Sequence, residues 1–333
     1  MIEPITLSAS LLETFDKCSY IWFSKYVHKF PDESNDGARR GSITHTLLEV
    51  LLNPRHDKVL KYTLKNKKLH PSLIRLVKKL AKKKKLGETD SKNQNNFKMI
   101  EEMTLVGLNA DYRCKGYKIC SIEEEFLISN KNPLYKIKGF IDKMAVNDLG
   151  DYLVCDYKTS REVKTETELK KNIQALMYSL SVWKQKGKIP TVRFIFLRFP
   201  ENPIRDVTFT LAELLGFEEY LAYMTSLLSP KNKELATASL AADKPYPKKE
   251  DGFSGNLVCG RASYKFQLKK NGEPMYACPF KFENEYYGLF NDKGEIIRSA
   301  VHESDLKPKE GQMVLKMQTT PCPRFKKSDF ELI

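Results

Sequence analysis

The stretch that most restricts the fold is LYKIKGFIDKMAVNDLGDYLVCDYKTSR, residues 134–161. From about residue 117 apolar residues recur with a period of two. YKICSIEEEFLI, YKIKGFIDKMAV and DYLVCDYK read as three consecutive strands, the last two joined by a turn at NDLGD. Each of those two carries a carboxylate, Asp142 and Asp156, where a buried strand would carry an apolar residue. Residues two apart on a strand face the same side, so Asp156 and Lys158 point together. Antiparallel pairing would bring Asp142 beside them. Two carboxylates that close repel one another unless a cation sits between them, and hard divalent ions such as Mg²⁺ suit oxygen ligands. Carboxylates, a cation and a lysine are the parts needed to hydrolyse a phosphodiester. By itself, a D-x-K triplet reads more often as an ion pair at a strand end.

Around these strands the periods alternate. LSASLLETFDKCSYIWFSKYV has serines suited to capping and apolar residues Leu11, Leu12, Phe15, Ile21 and Trp22 at helical spacing. ARRGSITHTLLEVLL reads as a second helix, 56–86 as a basic helical stretch and 97–113 as a further helix. After the strands, 164–186 reads as one helix with an apolar stripe of Leu169, Ile173, Leu176, Leu180 and Trp183. TVRFIFLRF and RDVTFTL read as strands, and AELLGFEEYLAYMTSLL as a helix. Residues 229–256 look loop-like, and a tail of short strands follows with a hairpin at FNDKGEI. The expected class is α/β, a mixed sheet flanked by helices. Its expected parts are N-terminal helices (1–54), a basic helical insertion (55–115), a catalytic core (116–230) and a small β-rich, cysteine-containing lobe (231–333).

The net charge of +14 is concentrated: residues 55–85 hold thirteen Lys or Arg against one acid, Asp57. Such a patch attracts polyanions, nucleic acid above all, though it also reads as a solvated face. No run approaches eighteen apolar residues and the N-terminus lacks a signal pattern, so no membrane span or cleaved export signal is expected. Seven scattered cysteines fit reduced thiols in a cytoplasm, some of them metal ligands. No G-x-x-x-x-G-K-[ST] loop occurs, so any unwinding would come from a partner.

Four stretches together resemble, in order, the PD-(D/E)XK nuclease superfamily, in its RecB-like, Cas4-like and AddB-like branch. SASLLETFDKCSYIWFSKYV is similar to that branch's first helix, and GSITHTLLEVLL to its G-x-x-x-H helix, which places His45 at the metal-binding position. IKGFIDKMAV with YLVCDYKTS is similar to the two motif strands, and NIQALMYSL to the Q-x-x-x-Y helix, with Gln174 and Tyr178. The resemblance implies a restriction-endonuclease-like core and a phosphodiesterase acting on DNA, an exonuclease rather than an endonuclease. His45, Asp142, Asp156 and the backbone carbonyl of Tyr157 would hold Mg²⁺ or Mn²⁺, and Lys158 would position the attacking water. Gln174 and Tyr178 would line the site. Many members carry Glu where this chain has Asp156.

Arg39, Arg40, Arg161 and Lys164 flank the motif residues and suit backbone phosphates, with Lys82, Lys83, Lys84 and Lys85 adding sequence-independent affinity. Work in recombination, repair or replication follows from the resemblance, in a phage or bacterial setting, beside a helicase or similar partner. A non-catalytic DNA-binding or assembly subunit and an RNA nuclease are the competing readings; intact Asp142, Asp156, Lys158 and His45 weigh against the former. The resemblance also implies a [4Fe–4S] cluster on Cys18, Cys259, Cys278 and Cys322, although the family spaces its last three cysteines more tightly. Zinc on Cys259, Cys278, Cys322 and His302, or plain buried thiols, are the alternatives. Cys114, Cys120 and Cys155 read as core residues.

Overall fold

The computed structural model describes residues 5–31, 35–90, 93–228, 232–241, 259 and 278–324. Most of the loop-like stretch 229–256 lies outside them. The helices are α1 (Ala9–Lys17), α2 (Ser19–Trp22), α3 (Asp36–Leu52), α4 (Asp57–Asn66), α5 (Pro71–Lys83), α6 (Asn96–Asn109), α7 (Glu166–Lys170), α8 (Ile173–Lys186) and α9 (Leu211–Leu227). The strands are β1 (Thr6–Leu7), β2 (Lys118–Lys131), β3 (Leu134–Val146), β4 (Tyr152–Lys158), β5 (Thr191–Phe196), β6 (Ile204–Val207), β7 (Glu285–Phe290), β8 (Ile296–Ala300) and β9 (Met313–Gln318). No helix among the described residues is long and apolar enough to cross a membrane. The chain forms two compact units, Met1–Ala9 with Ser34–Ser226, and Ser10–Glu33 with Leu227–Ile333.

The larger unit is built on a six-stranded mixed sheet in the order β1-β3-β4-β5-β6, with β2 paired to the other edge of β3. Strand β3 is long enough to serve two partners along one edge. Its first half pairs parallel with β1 at Lys136 and Ile137, and its last four residues, Lys143–Val146, pair antiparallel with β4. Asp142 lies in the gap between them. The β3–β4 turn closes on Asn147, whose side-chain oxygen accepts from Leu149 N (3.0 Å) and Asp151 N (2.8 Å), with Gly150 at φ +75°. Strand β4 then runs parallel to β5, so the hydrophobic run of each is buried.

Helix α3 starts at Asn35, whose side chain accepts from Ala38 N, and buries Ile43, Leu47, Leu48 and Leu51. These join Ile100 and Met103 of α6 and Ala145, Leu153, Tyr157 and Ile195 of the sheet in one core. The basic stretch is two helices rather than one, because Pro71 opens α5 with His70 as its cap. Leu73, Val77 and Ala81 of α5 are buried, while Arg75, Lys78, Lys79, Lys82 and Lys83 face solvent. The helix expected over 164–186 is also broken. Thr165 and Glu168 form a capping box for α7, and Asn172 caps α8 by accepting from Ala175 N (2.9 Å). The side buried by α8 is Ala175 and Met177–Val182, so Ile173, Leu176 and Trp183 of the expected stripe are only half-buried.

In the smaller unit the N-terminal segment breaks at Cys18, and α2 continues into a π-helical turn, Phe23–Val27. Ser19 fastens it to the later chain, donating to Ala236 O (3.1 Å) and accepting from Ser239 N (3.0 Å). Strands β8-β7-β9 form an antiparallel sheet, and the hairpin at FNDKGEI is present between β7 and β8.

Candidate active site

The ladder between β3 and β4 ends at the pair Lys143–Cys155, so Asp142 and Asp156 are the first residues beyond it, on facing strands. On the other edge of β3, Ile122 pairs with Lys143 and Glu124 with Ile141, which sets Glu123 opposite Asp142. Three adjacent strands thus each contribute one carboxylate to a row across the sheet. Lys158 follows Asp156 on the same face, its ammonium 2.7 Å from Asp156 Oδ2 and 5.3 Å from the centre of the Phe194 ring.

Helix α3 brings the imidazole. His45 Nδ1 lies 3.4 Å from Asp142 Oδ2, which also accepts from Tyr157 N at 2.8 Å. The imidazole stands edge-on to the Tyr157 ring, 5.9 Å between centres. His45 can reach the strands because Gly41 lies one turn earlier, where α3 crosses the end of β4. A Cβ at Gly41 would stand 2.7 Å from Thr159 Oγ1. The glycine of the G-x-x-x-H pattern therefore sets the helix-to-strand distance.

Helix α8 fastens the second acid. Tyr178 OH and Gln174 Nε2 both donate to Asp156 Oδ1, each at 2.9 Å, and Lys158 Nζ donates to Gln174 Oε1 at 2.5 Å. The amide bridges acid and lysine with its two ends correctly matched. Asp156 is 2% exposed, yet its Oδ2 accepts no hydrogen bond of good geometry. The 2.7 Å approach of the Lys158 ammonium gives that oxygen a charge partner but not an aligned donor.

Electrostatics tell the same story. Burial pushes the Asp156 carboxyl above its usual range; Lys158 opposes this and Asp142 adds to it. Glu123 is pushed up to about 7, by burial first, then by Asp142 and Glu49. Burial disfavours charge on His45, but Asp142, Asp156 and Glu123 outweigh it and hold the ring above its usual value. The Tyr178 hydroxyl is driven well up by burial and by Asp156 and Asp142, so it stays a donor. Negative charge is in excess here. Among the described residues, the one His/Cys/Asp/Glu group whose ligand atoms all lie within 4.8 Å of one another is His45, Glu123 and Asp142. Nitrogen and carboxylate oxygens in that mixture suit a divalent ion such as Mn²⁺ or Mg²⁺.

A family model for the PD-(D/E)XK nuclease superfamily matches residues 6–254. The chain belongs to that superfamily. No curated protein sequence matches it. Among solved structures, one described as "Putative exonuclease", from Eubacterium rectale, is 15% identical, covering 69% of this chain and 81% of that one with a TM-score of 0.42.

The other expected site residues are distributed as follows. Arg39 donates to Lys85 O at 3.0 Å, which ties the start of α3 to the Lys82–Lys85 end of α5. Arg40 is buried, 3.1 Å from Asp90 Oδ2 and donating to Asn96 Oδ1. Arg161 and Lys164 are exposed on the β4–α7 connection. Glu123 was not among the expected residues. Its only signal in the sequence is the run of three glutamates, and which of them faces Asp142 depends on an irregular register near Ser121 and on Glu123 itself at φ +49°.

In the smaller unit Cys18, Cys259, Cys278 and Cys322 are all buried. Cys278 N donates to Cys259 O (3.2 Å), and the Cys278 thiol is pushed up to about 12 by burial first, with Cys259, Cys18 and Cys322 all adding to it. Four thiols distant in sequence thus lie within electrostatic reach of one another. No three of these sulfurs fall within 4.8 Å of each other. His302 is exposed. Of the three cysteines expected in the core, Cys114 and Cys155 are buried, but Cys120 is exposed, because its position on β2 faces outward.

Proposed function

We propose that this protein is a metal-dependent DNA nuclease of the RecB/Cas4-like kind, working as an exonuclease. The observation that carries this is the row of three carboxylates, Glu123, Asp142 and Asp156, on adjacent strands, with His45 and Lys158 beside it. His45, Asp142, Asp156 and Glu123 would hold Mg²⁺ or Mn²⁺, with the Tyr157 carbonyl as a further ligand. A bound divalent ion supplies Lewis acidity toward a phosphate and lowers the pKa of water. The residues supply the rest. Gln174 and Tyr178 fix the Asp156 carboxylate and the Lys158 ammonium, so that ammonium can orient water for in-line attack or neutralise charge growing on the phosphate. Arg39, Arg161, Lys164 and the lysines at 82–85 would grip backbone phosphates, whereas buried Arg40, expected to join them, is held by Asp90 and Asn96. The family resemblance supports exonuclease action in recombination, repair or replication, in a bacterial cytoplasm, beside a helicase or related partner.

The four cysteines support a metal centre of their own. Four buried thiols within electrostatic reach of one another support an iron–sulfur cluster, with a zinc ion as the other centre they could hold. The test of the main reading is cleavage of end-labelled linear and closed circular DNA, with matched RNA, in Mg²⁺, Mn²⁺ or EDTA. Wild type should degrade linear DNA only with metal, spare circles, and lose activity in Asp156→Ala. A wild type that binds DNA and cuts nothing with either metal would make it a non-catalytic subunit, and preferential loss of the RNA would make it an RNA nuclease.

A further inference from the structure

Beside the acidic site lies a second cavity of about 480 Å³, lined by Asp36, Arg40, Asp90, Thr159, Arg161 and Arg198 among others. The acidic cavity, about 380 Å³, includes His45, Glu49, Glu123 and the same Thr159. Thr159 is the partition between them, seated against Gly41. Charge in the arginine cavity does not balance. Asp90 is taken by Arg40 at 3.1 Å, and Asp36 lies 3.4 Å from Arg39. Neither Arg161 nor Arg198 makes a hydrogen bond or ion pair with any described residue. Burial, then Arg161 and Arg40, hold Arg198 below the usual guanidinium value, with only Asp90 opposing. Two positive charges are left facing an open volume.

We propose that this cavity is a subsite for the terminal phosphate of a nucleic-acid strand whose interior reaches the cavity lined by His45 and Glu123, where His45 stands against Asp142. The charge selects the ligand. An internal phosphodiester carries one negative charge, whereas a phosphomonoester carries about −1.5 to −2 at neutral pH and three acceptor oxygens. Two uncompensated guanidiniums match the second, and their forked donors suit it. Distance agrees. The two linings meet on α3, where Gly37 and Arg40 of one alternate with Ala38 and Gly41 of the other, and the acidic one runs on to Glu49, about 13 Å beyond Arg40 at 1.5 Å per residue, so one strand can touch both. A strand end anchored here would lie across the Thr159 partition with a phosphodiester over the acids. The subsite rests on the nuclease reading for its substrate, and it would make the enzyme sensitive to how strand ends are finished.

The experiment uses full-length Asp156→Asn protein in EDTA and internally labelled oligonucleotides ending in a 5′-phosphate, a 3′-phosphate or hydroxyls only. Fluorescence anisotropy should show one phosphorylated end bound about tenfold tighter than the hydroxyl end, and the favoured end identifies the source. Inorganic phosphate should compete only for that difference. Adding Arg198→Gln or the exposed Arg161→Gln should erase the preference, and Arg198→Lys should keep part of it. Equal binding of all three oligonucleotides overturns the proposal, as does a preference that survives both glutamine variants. Wild-type cleavage of internally labelled, hydroxyl-ended DNA in Mn²⁺ is scored in parallel and reports on the nuclease reading alone.

Discussion

Asp156 is held by hydrogen bonds on one oxygen and by an ion pair on the other. Its Oδ1 takes two donors from α8, and its Oδ2 has only the lysine charge nearby. Removing one of the two donors should loosen the acid without unfolding the helix. Tyr178→Phe is therefore expected to lower activity, or Mn²⁺ affinity measured by calorimetry, on the order of 10–100-fold. Gln174→Ala should cost more in turnover, since the same amide also orients Lys158. The excess of carboxylates makes a second prediction at this scale. Glu123 has its proton held up to about 7 in the folded chain, against an ordinary value near 4.5. Between those values the folded state binds the proton and the unfolded state has lost it, so stability falls as pH rises through that window. His45, held above its usual value, acts in the same direction, its contribution being lost as pH rises through the folded value. In EDTA the melting temperature should drop from pH 5 to pH 8. Glu123→Gln should flatten that slope, and saturating Mn²⁺ should raise the pH 8 melting temperature most. A wild-type profile that rises across this range would contradict the crowding of charge.

Among the elements, α3 carries the largest structural obligation. Its buried face seals the core while its open side delivers His45 to one cavity and Arg40 to the next. Gly41 sets that placement. Gly41→Ala should destabilise the fold by about 1–3 kcal/mol through overpacking and weaken Mn²⁺ binding by moving His45. Thr159→Ala in the same chain should recover part of both losses, because the hydroxyl it removes is the atom the new methyl meets. A Gly41→Ala protein with unchanged stability and metal affinity would show that α3 has slack to spare. The break between α7 and α8 was hidden in the sequence for a local reason. LKKNIQAL has continuous helical spacing, and only the Asn172 side chain turning back to Ala175 N reveals a cap rather than an interior residue. Similarly, SIEEEFLI declares a strand but not which glutamate faces Asp142, since an irregular register moves side chains between faces.

For the whole molecule, the grouping of Ser10–Glu33 with Leu227–Ile333 is what assembles the cysteines. Cys18 sits at the break between α1 and α2, held by Ser19 to Ala236 and Ser239, while Tyr20 OH donates to Thr320 O (2.7 Å) next to Cys322. Anaerobically purified protein should contain iron and acid-labile sulfide, with broad absorbance in the visible range. Cys278→Ser should lose both and lower the stability of this unit more than that of the larger one. Stoichiometric zinc without iron would assign the thiols to zinc, and no metal at all would leave them as buried side chains.

The sequence by itself determined the period-two strands, the carboxylates on two of them, the D-x-K pair, the histidine helix and the glutamine–tyrosine helix. These follow from local periodicity and from residue types whose spacing already fixes a shared face. Tertiary structure alone decided which glutamate completes the row and that Arg198 joins Arg161 and Arg40 at one cavity, and it brings within electrostatic reach four cysteines that only the family resemblance groups. Each of those depends on strand register or on packing between segments far apart in the chain. Neither is encoded in the spacing of neighbouring residues.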